Sequence, residues 1–416
     1  MFDRLGSSTT TFRQVTVGPL ATVPFVRVLM ISWEYPPYVV TGVSTHVRGL
    51  SRALVAAGHD VVVVTPSVVG APDETVDEGV RVVRTPVDLP WVADDDVVAN
   101  TASANHHLVA LVARLIDWWP EVVHGHDWRT SWAAHTSSRL FECPLVMTVH
   151  GTEYSRHGGH VPPGRPSNIH SVENWMAWTA DLVVCNSRFM TNGVLEGFEI
   201  DPSRIRLVPS GIDASEWAPR APRDLTESSP IVMSWGRVLY EKGFQVVAQA
   251  IARLRGVVPD ISAVIAGRGP YLAELQTRID LEGVNDIVQL AGFAPDGELR
   301  ELLHRSGCVV IPSLYEPFGI VALEALAAGA PVIAADTGGL REILAGTGAA
   351  LLFEPGNDAQ LAEAIETVLT QPSVSAELTA KAHVLVNDTY SWSAVATRTV
   401  DTYRELLSDR ELLTDR

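Results

Sequence analysis

Lysine is nearly missing from this 416-residue chain: Lys242 and Lys381 are the only two, and arginine serves almost everywhere else a cation is needed. Positive charge is short overall. The 31 Lys and Arg face 49 Asp and Glu, for a formal net charge of −18. This balance argues against a diffuse basic surface, so neither nucleic acid nor an anionic membrane is an expected partner. Cysteine is also scarce. Cys143, Cys185 and Cys308 stand singly in apolar runs. That excludes a disulfide scaffold and predicts reduced core residues of a cytoplasmic protein. No apolar run reaches membrane-spanning length without polar breaks, so no stable membrane insertion is expected. Residues 1–24 are Ser/Thr-rich and lack the basic start and apolar centre of a signal peptide, so they read as an irregular extension.

Gly, Val and Ala are abundant. With 46% hydrophobic residues, the chain can bury large cores and is long enough for two or three domains. Val26–Ser32 fits a buried parallel strand. A loop with Tyr35, Pro36 and Pro37 follows, then a helix over Ser44–Ala57 that Gly58 stops, then a strand at Val61–Thr65. This βαβ opening predicts a doubly wound sheet. Further strands are expected at Val80–Arg84, Val122–His126, Leu145–His150, Leu182–Asn186 and Arg206–Val208, with a helix around His170–Thr179. The Pro-, Arg- and Ser-rich stretch Ala218–Pro230 reads as a linker. A second series places strands near Ile231–Trp235, Ala263–Gly267, Ile287–Ala291, Cys308–Pro312, Pro331–Ala335 and Ala349–Phe353. The fold class is therefore α/β, in two similar lobes, with ligands expected in the cleft between them.

Ser313–Val332 is the most informative stretch. It reads as loop, helix, stop and strand. Pro317 and Gly319 mark the helix start, and Gly329 and Pro331 its end. Glu316 precedes the first turn and Glu324 lies about two turns on. Between them the N–H groups of Phe318, Gly319, Ile320 and Val321 form an anion site at the positive end of the helix, with Gly319 permitting close backbone approach. A second run, Ser234–Gly243, is a strand followed by a glycine-punctuated loop bearing Arg237 and Lys242, the charge a diphosphate needs. The rarity of lysine makes Lys242 informative. In the first lobe, the loop after the opening strand carries Glu34-Tyr35-Pro36-Pro37 and Thr41-Gly42, where a doubly wound lobe presents ligands. His126-Asp127-Trp128 and Thr148-Val149-His150 follow later strands.

These runs resemble family 4 retaining glycosyltransferases, and most closely the actinobacterial glycogen-synthase-like α-glucosyltransferases. The resemblance covers nearly the whole chain from Val26. It implies a GT-B fold of two Rossmann-like doubly wound lobes facing a central cleft: an acceptor lobe over 25–217, a nucleotide-sugar donor lobe over 218–391, and a final helical stretch within 392–416 that packs back on the first lobe. In such enzymes Glu316 would sit beside the donor sugar, Glu324 would hold the ribose, and the helix start would take the diphosphate. Arg237 and Lys242 would neutralise the leaving group, and His150 would support the reacting sugar. Gly42 and Gly267 would border the donor, and Glu34 and Asp127 the acceptor. The donor implied is UDP-glucose or ADP-glucose, the acceptor a glucan or a small molecule, and no metal or other cofactor is required. Glucan-making relatives carry paired glycines where this chain has Thr41-Gly42, and often a third where it has Ser44. That departure bears on the acceptor side.

Two metal-type patterns are set aside. Asp94-Asp95-Asp96 sits in a polar connection without a flanking buried strand and reads as a solvated acidic loop. His124 and His126 are read as facing opposite sides of their strand, which would prevent them from sharing an ion.

Overall fold

The computed structural model describes residues 25–38, 42–87, 96–115, 118–218 and 230–414. The 1–24 extension, Thr41, Asp94, Asp95 and positions 219–229 of the expected linker lie outside these residues.

Eight strands form the first sheet: β1 (Arg27–Ser32), β2 (Asp60–Pro66), β3 (Glu74–Asp77), β4 (Val80–Thr85), β5 (Val122–His126), β6 (Leu145–Val149), β7 (Leu182–Cys185) and β8 (Ile205–Leu207). Their spatial order is β3-β4-β2-β1-β5-β6-β7-β8, parallel throughout except for the β3–β4 pair. Six parallel strands form the second: β9 (Ile231–Trp235), β10 (Ser262–Ala266), β11 (Val288–Gly292), β12 (Cys308–Ile311), β13 (Val332–Ala335) and β14 (Ala350–Phe353), in the order β11-β10-β9-β12-β13-β14. The central strands are apolar on both faces because helices cover both faces, the condition under which parallel sheets persist. Val28, Leu29, Met30 and Ile31 of β1 are all fully buried, and they divide between two separate core clusters, one on each side of the sheet.

Each sheet reverses its winding once. In the first, the chain runs outward from β1 in one direction and resumes at β5 on the other side; in the second, the reversal falls between β9 and β12. Ligands bind doubly wound sheets beyond the carboxyl ends of the strands at such reversals. Here those ends lead into Trp33-Glu34 and Asp127 in one sheet, and into Gly236-Arg237 and Ser313–Glu316 in the other.

The last long helix, Trp392–Thr414, returns to the first sheet. It packs against the helix Gly42–Ala56, and Val395, Ala396, Val400 and Tyr403 join the core cluster that contains Val28 and Met30. The crossing is fastened where Ile212 N–H donates to the Tyr390 carbonyl (2.8 Å). Trp392 lies against two glycines: a Cβ at Gly49 would come within 2.0 Å of its ring, and one at Gly211 within 2.7 Å. All three cysteines are buried and free, and burial pushes the Cys185 thiol up to about 12. Among the described residues no helix is long and apolar enough to cross a membrane.

Candidate active site

The second-sheet half is built from two loops locked to each other. Lys242 Nζ meets Glu316 Oε2 at 2.7 Å, and Ser313 Oγ donates to the same oxygen at 3.1 Å. Glu316 is only 8% exposed, so these contacts replace most of its water. The pairing follows from the backbone. The Glu241 carbonyl accepts from Leu314 N–H (2.8 Å), and Gly243 adopts a left-handed φ of 70° with no room for a side chain, since a Cβ would lie 1.9 Å from the Pro312 carbonyl oxygen. Lys242 is thus held beside Glu316 by a turn that only glycine can close.

The helix beyond this loop spans Ile320–Ala327, with Gly319 as its N-cap at φ 110°. Three of the four expected amides, those of Gly319, Ile320 and Val321, stand at this helix start, and only Phe318 falls before it. Phe318 precedes the cap, and its ring is buried against Tyr390, with centroids 6.2 Å apart. The amides at the helix start are those of Gly319, Ile320 and Val321, while Ala322 N–H already bonds the Gly319 carbonyl at 2.9 Å. Glu324 is steadied by Trp235, whose Nε1–H donates to Oε2 at 3.2 Å. Trp235 closes β9, and an indole donor at a strand end facing an acid seven residues past the Pro317 loop gave no local signal in the sequence. The Thr337-Gly338-Gly339 turn backs the Glu316 loop: Gly339 N–H donates to the Glu316 carbonyl (2.9 Å), and a Cβ at either glycine would strike backbone of Glu316 or Phe318. Gly267 likewise serves a close backbone approach, since its Cβ would lie 1.8 Å from the Gly236 carbonyl oxygen. Arg237 is exposed beside it.

The first-sheet half faces this loop. A Cβ on Gly42 would come 2.7 Å from Ile320 Cδ1, so the two lobes meet at the helix start. Ser187 Oγ donates to the Pro317 carbonyl (2.6 Å), and the Glu342 carboxylate accepts from Arg188 N–H (2.8 Å) and Phe189 N–H (2.5 Å). Asp127 turns the chain after β5 in a left-handed conformation (φ 69°) and accepts from Trp128 N–H at 2.7 Å. Burial raises its carboxyl pKa. Glu34 is buried. Its neighbour Tyr35 points away from the cleft, donating to Asp77 Oδ2 at 2.8 Å. Asp96 caps the helix Val97–Val112 by accepting from Ala99 N–H at 2.9 Å.

The histidines require a correction. Residues two apart on a strand share a face, and His124 and His126 stack with ring centroids 4.3 Å apart. His124 is satisfied on both nitrogens, by Tyr403 Oη (2.6 Å) and Thr148 Oγ1 (2.7 Å). His126 instead faces His150 and His46. Burial holds these rings neutral at pH 7: His46 is pushed down to about 4, and His126 and His150 well below the ordinary value.

Glu173, on the helix Arg165–Thr179, has no lysine or arginine paired with it among the described residues, and His170 Nδ1 lies 3.8 Å from its Oε2. Both its oxygens accept from the Glu153 N–H, at 3.2 and 3.0 Å, and it is 2% exposed. Burial, with Asp127 and Glu153 nearby, raises its pKa to about 8.

Two family models divide the chain between them: Glycosyltransferase Family 4 matches residues 40–216, and Glycosyl transferases group 1 matches 215–384. The glycogen synthase of Mycobacterium tuberculosis is 36% identical over 91% of this chain and 94% of its own length. The alpha-maltose-1-phosphate synthase of Mycolicibacterium smegmatis is 29% identical over 92% and 100%. Among solved structures, the sucrose-phosphate synthase of Thermosynechococcus elongatus superposes with a TM-score of 0.77 at 24% identity, covering 92% of this chain and all of the other. With both sheets, the cleft loops and a full-length relative in agreement, the chain belongs to the GT-B glycosyltransferases that carry the family 4 and group 1 domains.

Proposed function

We propose that the protein is a retaining hexosyltransferase that moves glucose from a nucleoside diphosphate sugar, UDP-glucose or ADP-glucose, to a hydroxyl of an α-1,4-glucan or maltooligosaccharide in the cytoplasm. The observation that carries this reading is the Lys242–Glu316 pair at the start of the helix Ile320–Ala327. It sets a cation, a carboxylate and open amides within one small region. The diphosphate rests on the Gly319–Val321 amides, with Arg237 and Lys242 balancing the charge that develops as the sugar leaves. Glu316 lies beside the sugar and Glu324, oriented by Trp235, takes the ribose. Retention follows from attack on the face the leaving group vacates. The sugar–phosphate bond breaks as the acceptor oxygen bonds to the anomeric carbon, and the acceptor proton passes to the departing phosphate. His150 supports the donor, and Glu34 and Asp127 border the acceptor.

No metal is needed in this scheme, because fixed cations do its electrostatic work. Turnover is expected to survive thorough chelation; loss with EDTA and recovery with magnesium or manganese would overturn that part. The α-anomeric donor should give an α-linked product on maltooligosaccharides, visible in the proton coupling at the new linkage. A β-linked product would reject retention. The alternative is a small acceptor. It is favoured by the likeness to the alpha-maltose-1-phosphate synthase and by Thr41 and Ser44 in place of the glycines of glucan-making relatives. An α-linked product formed on small molecules and never on glucan would select it.

A further inference from the structure

Four imidazoles crowd the first-sheet side of the cleft, and one of them accounts for itself. His124 is bonded at both nitrogens, as a core histidine is. The other three are arranged differently. One nitrogen from each of His46, His126 and His150 lies within 4.8 Å of the others. His126 Nδ1 and His150 Nε2 are 3.4 Å apart. Zinc–nitrogen bonds of about 2.0–2.1 Å put two nitrogens of a tetrahedral site roughly 3.3–3.4 Å apart, so this separation already matches one edge. His126 is 0% exposed, and its Nε2 is buried with no hydrogen-bond partner. Apart from the approach of its Nδ1 to His150, the fold gives this ring no partner, unlike His124. His46 Nδ1 contacts Ser210 Oγ at 2.9 Å, the kind of outer contact that fixes a ligating ring and leaves Nε2 for an ion. Trp392 stands edge-on to His46 and walls the cluster on that side. His150 is half-buried, so the group opens there.

We propose that His46, His126 and His150 form a binding site for a single divalent transition cation of the zinc class, with a fourth, open coordination position. Three neutral nitrogen donors suit zinc, cobalt or nickel and not magnesium or calcium. On the functional reading above, the cation is an inhibitor: it takes the His150 nitrogen from the sugar side. The binding itself stands apart from that reading and is measured without donor or acceptor.

The full chain, freed of metal, is titrated with zinc against a chromophoric chelator, and with cobalt followed in the visible spectrum. One tight equivalent and the intense bands of tetrahedral cobalt are expected for the wild type. No stoichiometric uptake by the wild type would overturn the site. His46→Asn, checked for folding by circular dichroism, should bind zinc more than about a hundredfold more weakly. His106→Asn, which alters an exposed histidine beside His107, should bind as the wild type does. If folded His46→Asn keeps full affinity, or if His106→Asn loses it, the site is not the one proposed. If His46→Asn fails to fold, the cobalt spectrum and the number of imidazoles counted by X-ray absorption on the wild type decide. In the transfer assay, zinc should inhibit and EDTA restore. Tight binding without inhibition would keep the site and remove His150 from the donor's side.

Discussion

Replacing Lys242 by Ala takes away the cation 2.7 Å from a carboxylate that is mostly buried. Two losses follow. Turnover should fall about a hundredfold, the typical cost of one stabilising contact to a leaving group, ~3 kcal/mol. Glu316 is also left without its partner, so the thermal midpoint should drop. Arg237 is exposed, and Arg237→Ala should cut turnover while leaving the midpoint unchanged. Near-normal turnover in both variants would remove them from the site. Glu173 makes a separate prediction. Its pKa is raised from the usual 4.5 to about 8. The folded chain therefore holds a proton the unfolded chain has given up, and stability falls as pH rises from about 4.5 to about 8. Glu173→Gln stays neutral and should flatten that fall. Thermal melts of both proteins across this window test it, and parallel curves would refute it. Glu316, Arg237 and Lys242 were legible at this scale because glycine and proline punctuate their loops. The Trp235–Glu324 contact and the unpartnered Nε2 of His126 were not, because a hydrogen bond across 89 positions or a missing one leaves no local pattern.

At the scale of elements, the central parallel strands announce themselves as short apolar runs, since burial on both faces removes most polar residues from them. β3 escaped notice. It pairs antiparallel at the sheet edge, with Glu74, Thr75, Val76 and Asp77 exposed or half-exposed, and four such residues resemble a loop. The helix start was legible, since Gly319, one of the two residues expected to mark it, supplies the left-handed cap. The functional loops depend on such glycines. Gly243→Ala forces a left-handed φ on an L side chain and drives it into the Pro312 carbonyl. A loss of roughly 1–3 kcal/mol is expected. Because the turn sets Lys242 against Glu316, turnover should fall as well, even at temperatures where the variant is fully folded. Chemical denaturation and steady-state rates measured together check this, and unchanged rates in a destabilised variant would separate the turn from the chemistry.

Across the whole molecule the two sheets are joined at the cleft, where Glu342 accepts from the Arg188 and Phe189 amides and Ser187 donates to the Pro317 carbonyl, and behind it by the Trp392–Thr414 helix. Gly49→Ala places a methyl where the Trp392 ring already lies. It should loosen the returning helix, lowering the thermal midpoint and exposing the segment after Tyr390 to protease before the rest of the chain. Uniform resistance to cleavage would show that the contact is dispensable. The doubly wound pattern of each lobe could be read from apolar spacing, whereas the return of the last helix was expected from the family resemblance and not from spacing. Its apolar residues would suit either sheet, and only packing selects one.

The returning helix also has a consequence in time. A ribosome releases β1 to β8 first, and the second sheet follows. Val395, Val400 and Tyr403, which complete the core around Val28 and Met30, emerge only after the whole second sheet. The first lobe must wait, its innermost layer unfinished, while its neighbour is made. Assembly therefore runs in a circle, in which helical turns made after the second sheet close a domain begun before it.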